Sequence, residues 1–165
     1  MSRDAKELIN DIDSAFAVWS YPGDAEILRD DVCEHGECDV LRKSVVGKHW
    51  AALKIGDVAY KDSLVLYMTP AGYRYYLPGL MKLSLLNPEI YDLPAYIAAA
   101  LTPPNKDHRP RGQWSREYKE AFTYQQQQVI RDFLLWANAR FESGNAWDPA
   151  GLALSAVWND QDARQ

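Results

Sequence analysis

The sequence has few cysteines, no long apolar run and no excess of basic residues, and each shortage excludes a class of protein. Two cysteines, Cys33 and Cys38, are too few for a disulfide scaffold, so we expect reduced, half-buried thiols. No apolar run approaches the roughly 18 residues of a membrane span, and the charged start argues against a signal peptide. A formal charge of −5 argues against general nucleic-acid binding. We predict a cytoplasmic, acidic protein without membrane or nucleic-acid partners.

The size and composition are those of one globular domain. The 165 residues are 47% hydrophobic and 25% charged, which is ordinary globular usage. A chain of this length buries roughly 70% of its unfolded surface, so neither a metal nor a disulfide is needed for folding. We predict a single domain over residues 1–165, with a frayed tail at 159–165.

Helical periodicity dominates the chain. Apolar residues recur at steps of three and four over 4–19 and 129–141. Short connections and proline-started segments separate further helices. The predicted fold class is mainly α, a compact single-domain bundle of six or seven helices, with room for one short β-hairpin near 55–68.

Three local features stay open at this point. Residues 39–46 fit either a short helix or a strand. Ser115 and Thr123 are alternative caps for the longest helix. Pro78-Gly79 should kink or break the helix that begins at Pro70, and Pro78 frees a backbone carbonyl near residue 74.

Charge is distributed unevenly along the chain. Residues 1–39 hold eleven acids and three bases, net −8, whereas residues 40–131 hold thirteen bases and seven acids, net +6. The stretch 24–39 is also rich in loop signals, and loops often carry binding residues. We interpret it as a surface that steers a basic partner; the candidate contacts are Asp30, Asp31, Glu34 and Glu37. The alternative is that the two regions complement each other within the fold.

The aromatic segment from Tyr73 to Pro78 has two interpretations. Tyr73, Tyr76 and Leu77 share one helix face, which is typical of a core helix. The other interpretation is a cleft for an anionic group, because arginine binds such groups through its bidentate fork. The candidate cleft residues are Arg74, Tyr75, His49, Arg109 and Arg111.

Metal binding and catalysis have weak support in the sequence. Cys33, His35, Cys38 and His49 could in principle surround zinc, but the spacing is long and no second cysteine pair exists. We find no nucleophile elbow and no glycine-rich phosphate loop. We therefore predict no metal, no cofactor and no catalytic residues.

The segment from Thr69 to Pro78 resembles a family of small bacterial proteins of unknown function marked by the motif TPxx(F/Y)RY(F/Y)LP. Members also tend to show an upstream GKxW element, here Gly47 to Trp50, and a downstream glutamine-bearing helix, here Gln125 to Trp136. The resemblance implies no established activity. It does imply an association, because such proteins are similar to compact acidic proteins found among bacterial toxin-neutralising and defence genes.

These observations predict a non-enzymatic protein-binding protein, most concretely an immunity protein that neutralises a cognate toxin by direct binding. Such a protein needs a stable scaffold and a complementary surface, and an acidic surface suits a toxin with a basic site. The alternative function is a small enzyme or ligand-binding domain that recognises a phosphate- or carboxylate-bearing small molecule.

Overall fold

The computed structural model describes residues 4–29, 36–58, 67–90, 92–102, 119–141 and 148–158, excepting the side chains of Glu37 and Phe141. Six α-helices form within these residues, and the predicted mainly α fold is confirmed. The helices are α1 (Ala5–Ala15), α2 (Glu37–Val45), α3 (Pro70–Leu86), α4 (Leu93–Ala100), α5 (Tyr124–Phe141) and α6 (Pro149–Ala156), with 3₁₀ turns at Asp24–Glu26, Trp50–Ala52 and Ile55–Val58.

Helix α3 is the centre of the core. It is buried on nearly all sides and packs against α1, α4 and the turn at Trp50–Ala52. Helix α5 packs against α1, α4 and α6. One continuous hydrophobic core extends from Leu8 in α1 to Trp158 after α6, so both ends of the described chain contribute to it.

Helix α5 begins with a capping box. The Thr123 hydroxyl accepts a hydrogen bond from the Gln126 N–H (3.3 Å), and the Gln126 side chain accepts one from the Thr123 N–H (3.0 Å). Buried Gln126 also donates to the carbonyl oxygen of Ala15 at the end of α1 (3.1 Å). Thr123 is therefore the cap, and the glutamine beside it joins α5 to α1.

One predicted helix limit was wrong and one alternative is now decided. The helix predicted over 4–19 ends at Ala15, and the chain turns through Phe16 to Val18 so that Trp19 reaches α3. Of the kink or break predicted at Pro78-Gly79, the break does not occur, since helix α3 continues through Pro78 to Leu86. The ambiguous segment 39–46 lies mostly within helix α2.

The predicted hairpin near 55–68 is only partly testable. Residues 55–58 form a 3₁₀ turn, and 59–66 lie outside the described residues. The one β pairing in the described chain is an isolated antiparallel bridge between Leu28 and Met68. No helix of the described residues has the length and apolar character to cross a bilayer.

The expectation of reduced thiols is corrected at Cys38. This side chain, buried in α2, is disulfide-bonded. Cys33 lies outside the described residues. A bonded sulfur neither titrates nor acts as a nucleophile, so Cys38 offers no reactive thiol in this state.

Candidate functional site

The start of α3 is held against the segment Glu26–Arg29. Thr69 caps the helix, since its hydroxyl accepts a hydrogen bond from the Gly72 N–H (2.9 Å) and donates one to the carbonyl oxygen of Glu26. The Thr69 N–H also donates to the carbonyl of Ile27 (2.9 Å). A Cβ at Gly72 would overlap the Ile27 backbone, so glycine permits this close approach.

Two tyrosine hydroxyls of α3 hold the segment Val45–Trp50. The Tyr75 hydroxyl accepts a hydrogen bond from the Trp50 N–H (3.4 Å). The Tyr76 hydroxyl lies against the carbonyl oxygens of Val45 and Lys48, 3.0 Å from the latter. Further along, Gly79 packs under the Trp50 carbonyl, where a Cβ would overlap it. The predicted cleft residue Tyr75 is thus buried and engaged by the backbone.

Tyr21 ties the same segment from the other side. Its hydroxyl accepts a hydrogen bond from the Gly47 N–H and donates one to a carboxylate oxygen of Asp24, each at 2.8 Å. Its ring packs edge-on against Tyr75, with centroids 5.0 Å apart. Gly47 has φ +79, a backbone conformation that favours glycine. Sequence reasoning missed Tyr21, because its partners Gly47 and Tyr75 are distant in the sequence.

The environment of these tyrosines keeps them neutral. Burial raises the pKa of Tyr73 well above 10. Burial also raises the pKa of Tyr76, and the neighbouring Tyr21 and Tyr75 add to the effect. Burial raises the pKa of Tyr75, and the hydrogen bond from the Trp50 N–H offsets part of that increase. Such hydroxyls serve as hydrogen-bonding groups at neutral pH and not as bases.

His49 is exposed at the edge of this cluster. Its Nδ1 accepts a hydrogen bond from the Ala51 N–H (3.2 Å), so the ring caps the 3₁₀ turn at Trp50–Ala52. The ring centroid is 6.3 Å from that of Tyr75. Among the described residues no carboxylate is hydrogen-bonded to His49. The structure therefore places His49 beside Tyr75, with its ring nitrogen used for capping.

An ion pair flanks His49. Lys48 Nζ lies 2.7 Å from a carboxylate oxygen of Asp57, whose other oxygen accepts from the Lys54 N–H (2.9 Å). Partial burial would raise the pKa of Asp57, but these hydrogen bonds and the two lysine charges lower it below its usual value. The charged Asp57 side chain thus stabilises the turn that follows Lys54.

The carbonyl freed by Pro78 receives a donor from the segment that follows α1. Proline has no N–H, so the Arg74 carbonyl loses its partner within the helix. The indole N–H of Trp19 donates to this oxygen instead (3.2 Å). Sequence reasoning predicted the free carbonyl but not its donor, which lies 55 residues earlier.

The Arg74 side chain differs from its neighbours in the motif. It is half-buried, and its guanidinium has no hydrogen bond or ion pair within the part of the chain that the structure describes. Arg109 and Arg111 lie outside the described residues, so their position relative to Arg74 stays a prediction. Of the predicted cleft, the structure describes Arg74, Tyr75 and His49.

The predicted acidic surface is partly described. Asp30, Asp31 and Glu34 lie outside the described residues, and so does the side chain of Glu37. Three other acids of the segment 24–39 are exposed: Asp24, Glu26 and Asp39. Asp24 accepts a hydrogen bond from Tyr21, and no ion pair involves the three acids within the described ranges.

No group of three His, Cys, Asp or Glu in the described ranges is arranged to hold a metal ion.

Comparison with known families assigns the chain. A model described as a family of unknown function (DUF6714) matches residues 4–161. The chain belongs to this family. The predicted membership in a family of unknown function is therefore confirmed. Searches of curated proteins and of solved structures found no match.

The DUF6714 match includes all six helices and every candidate residue named above. The whole described site, from Trp19 and Tyr21 to the start of α3, lies within the matched residues. The family description carries no activity, so a function has to be argued from the site itself.

Proposed function

We propose that this chain is a non-enzymatic protein-binding protein that meets a basic partner through its acidic surface, defined as Asp24, Glu26 and Asp39 together with the predicted Asp30, Asp31, Glu34 and Glu37. The supporting observation is that Asp24, Glu26 and Asp39 are exposed and make no ion pair within the described ranges. Unpaired surface acids attract a basic partner over distances comparable to the Debye length.

Two of the candidate cleft residues, Tyr75 and His49, support the same proposal. The Tyr75 hydroxyl and Nδ1 of His49 accept hydrogen bonds from backbone N–H groups of residues 50–51, and the neighbouring Tyr76 hydroxyl lies against carbonyl oxygens of residues 45–48. A catalytic site would leave such groups directed towards a substrate. Here they fix a loop, which favours a scaffold over an enzyme. Arg74 differs, since its guanidinium has no partner in the described ranges.

Within this proposal the partner is a toxin with a basic site, and the chain is its immunity protein. The cytoplasmic location predicted from the sequence belongs to the same proposal. The disulfide-bonded Cys38 would then be an exception, since cytosolic thiols are usually reduced. Nucleic acid is not an expected partner, because the acidic surface repels it.

The test measures association with the protein that co-purifies with the chain. The variant carries Asp24→Asn, Glu26→Gln and Asp39→Asn, and a second variant neutralises Asp30, Asp31, Glu34 and Glu37. The matched control is Glu89→Gln with Glu120→Gln, which removes two exposed charges elsewhere. We expect slower association for both acidic-surface variants at low salt, converging with the parent at high salt.

An association rate unchanged at every ionic strength would show that the acidic surface does not steer the partner. The toxin assignment is checked separately, by mixing the partner with one equivalent of the chain. We expect the partner's toxicity to be lost in this mixture. A partner without toxicity of its own contradicts the immunity role while leaving protein binding intact.

A further inference from the structure

The two ends of helix α2 are held in different ways. At the C-terminal end, the Tyr76 hydroxyl lies against the carbonyl oxygens of Val45 and Lys48. The N-terminal end begins at Gly36, which has no side chain to cap the first N–H groups of the helix. Cys38, the second residue of α2, is buried and disulfide-bonded there. The disulfide is thus a covalent anchor at the end that lacks a cap.

The sequence identifies the partner in this bond. The chain contains two cysteines, so Cys33 is the only cysteine of the same chain to which Cys38 can be bonded. The bond closes a loop of six residues, 33–38. So short a loop constrains the unfolded chain less than the longer loops of most structural disulfides. Leu41 and Val45 of α2 belong to the hydrophobic core, so the helix is held there independently of the bond.

The anchored end of α2 carries part of the acidic surface. Asp39 follows Cys38 directly and is exposed, and two of the predicted acids lie inside the closed loop. Asp24, in contrast, is held by the hydrogen bond from Tyr21. The disulfide therefore determines how firmly one part of the acidic surface is fixed relative to the other part.

We propose that the disulfide between Cys33 and Cys38 is a reversible redox site that controls partner binding. The oxidised chain holds the start of α2 and its acids in place, and reduction releases them. This inference rests on the proposed function and names a regulation of its acidic surface. Disulfides in cytosolic proteins are usually transient and either catalytic or redox-sensing. A surface that is already ordered binds more tightly, because less conformational entropy is lost on association.

The exchange reaction balances with a dithiol as the reductant. Cys38 is 3% exposed, so a thiolate of the reductant attacks the sulfur of Cys33, and Cys38 leaves as a thiolate. The N-terminal end of α2 stabilises this thiolate, which then takes up a proton. The second thiol of the reductant displaces Cys33 from the mixed disulfide. The chain has then gained two electrons and two protons, and the reductant has become a disulfide.

The first experiment measures amide hydrogen exchange of the full chain with and without dithiothreitol. We expect reduction to raise the exchange rate at least about tenfold over residues 38–41. Residues 42–46 and helix α3 should stay protected, because Tyr76 and the core hold them. The control is the double variant Cys33→Ser, Cys38→Ala, in which exchange should not respond to dithiothreitol. Thermal denaturation checks that this variant is folded, and Cys33→Ser alone, which keeps the buried cysteine, replaces it if it is not.

The second experiment measures the Kd for the protein that co-purifies with the chain. We expect reduction to raise the Kd of the parent chain at least about fivefold. The double variant should bind as the reduced parent does, with or without dithiothreitol.

The third experiment determines the state of the cysteines in the source cell. Cells are quenched in acid and free thiols are labelled with a maleimide, before and after treatment with the thiol oxidant diamide. We expect the fraction of chains with two labelled cysteines to fall after diamide.

Exchange over residues 38–41 that is unchanged by reduction overturns the inference, and so does loss of protection throughout α3, which would make the bond a structural one. A chain that stays fully oxidised or fully reduced in cells under both conditions also overturns it. A Kd unchanged by reduction overturns it as well; slower association of the acidic-surface variants would then still support the proposed function. A Kd that responds to reduction while those variants associate normally supports the redox site and contradicts steering by the acidic surface.

Discussion

The start of α3 and the acidic surface use polar residues in opposite ways. At the start of α3, the Thr69 and Tyr76 hydroxyls bind backbone atoms of distant segments, and the indole N–H of Trp19 binds a backbone atom of α3. On the acidic surface, Glu26 and Asp39 face solvent without an ion pair in the described ranges. Buried polar groups need partners within the fold, whereas exposed ones leave the fold unaffected and are available to another molecule.

The contrast between these two regions predicts the largest loss of stability for a substitution at Tyr76. This side chain is fully buried and its hydroxyl binds the segment Val45–Lys48. Tyr76→Ala should lower the free energy of unfolding by roughly 3–5 kcal/mol. Tyr124→Ala, on an exposed tyrosine, should change it by less than about 0.5 kcal/mol. Denaturant unfolding measures both, and a loss below about 1 kcal/mol for Tyr76→Ala would mean that α3 is not the centre of the core.

The second-largest loss of stability is expected at Gly79, where the backbone of α3 lies close to the Trp50 carbonyl. A Cβ there would overlap the Trp50 carbonyl, whereas a Cβ at Gly56 meets nothing within 4 Å. Alanine normally favours a helix over glycine by about 1 kcal/mol. We nevertheless expect Gly79→Ala to destabilise by about 2 kcal/mol through overpacking, and Gly56→Ala to have little effect. Equal melting temperatures for the two variants would contradict the close approach.

Trp19 and Pro78 can be tested as a pair. Trp19→Phe removes the donor to the Arg74 carbonyl and should cost about 1–3 kcal/mol. Pro78→Ala restores an N–H within α3, so the same Trp19 change should cost less in that background. A double-mutant cycle on unfolding free energies measures this coupling. A coupling near zero would show that the indole and the missing amide do not substitute for each other.

Alkaline pH should distinguish buried from exposed tyrosines. The folded pKa of Tyr73 is raised by burial, so its stabilisation is complete below about pH 10, the unfolded value. Above pH 10 that stabilisation declines, by about 1.4 kcal/mol per pH unit, until the folded pKa is reached. Tyr73→Phe should flatten the dependence of unfolding on pH between 10 and 11, whereas Tyr124→Phe should not. Identical curves would place the Tyr73 hydroxyl in water.

The smallest effect is expected on the acidic surface. The variant with Asp24→Asn, Glu26→Gln and Asp39→Asn should change stability by less than about 0.5 kcal/mol, because exposed charges contribute little. The Tyr21 bond to Asp24 survives in the asparagine, whose amide oxygen still accepts. A fall in melting temperature of many degrees would show that these acids serve the fold, and the contrast between the two regions would then be lost.

Local signals in the sequence were sufficient for much of the fold. Thr69-Pro70, Thr123 and Asp148-Pro149 mark helix starts through short-range hydrogen bonds, and these occur. The end of α1 was not predictable from periodicity. The apolar pattern runs on to Trp19, but that side chain serves α3 and not α1.

The site was less predictable because its partners are distant in sequence. The tyrosines of α3 were recognised as core residues, but their binding of the segment Val45–Trp50 depends on tertiary packing. Tyr21 and Trp19 carry no local signal of their roles. The bonded state of Cys38 was also not expected from a low cysteine content.

The bond from Trp19 to the Arg74 carbonyl has a consequence for how the molecule folds. Helix α3 cannot satisfy all its backbone groups by local contacts, because the Arg74 carbonyl oxygen accepts its hydrogen bond from Trp19, within the first twenty residues. Long-range contacts of this kind slow folding, because a loop must close before they form. They also make the N-terminal segment and the central helix unfold together, so that cleavage after Trp19 would release more than a terminal helix.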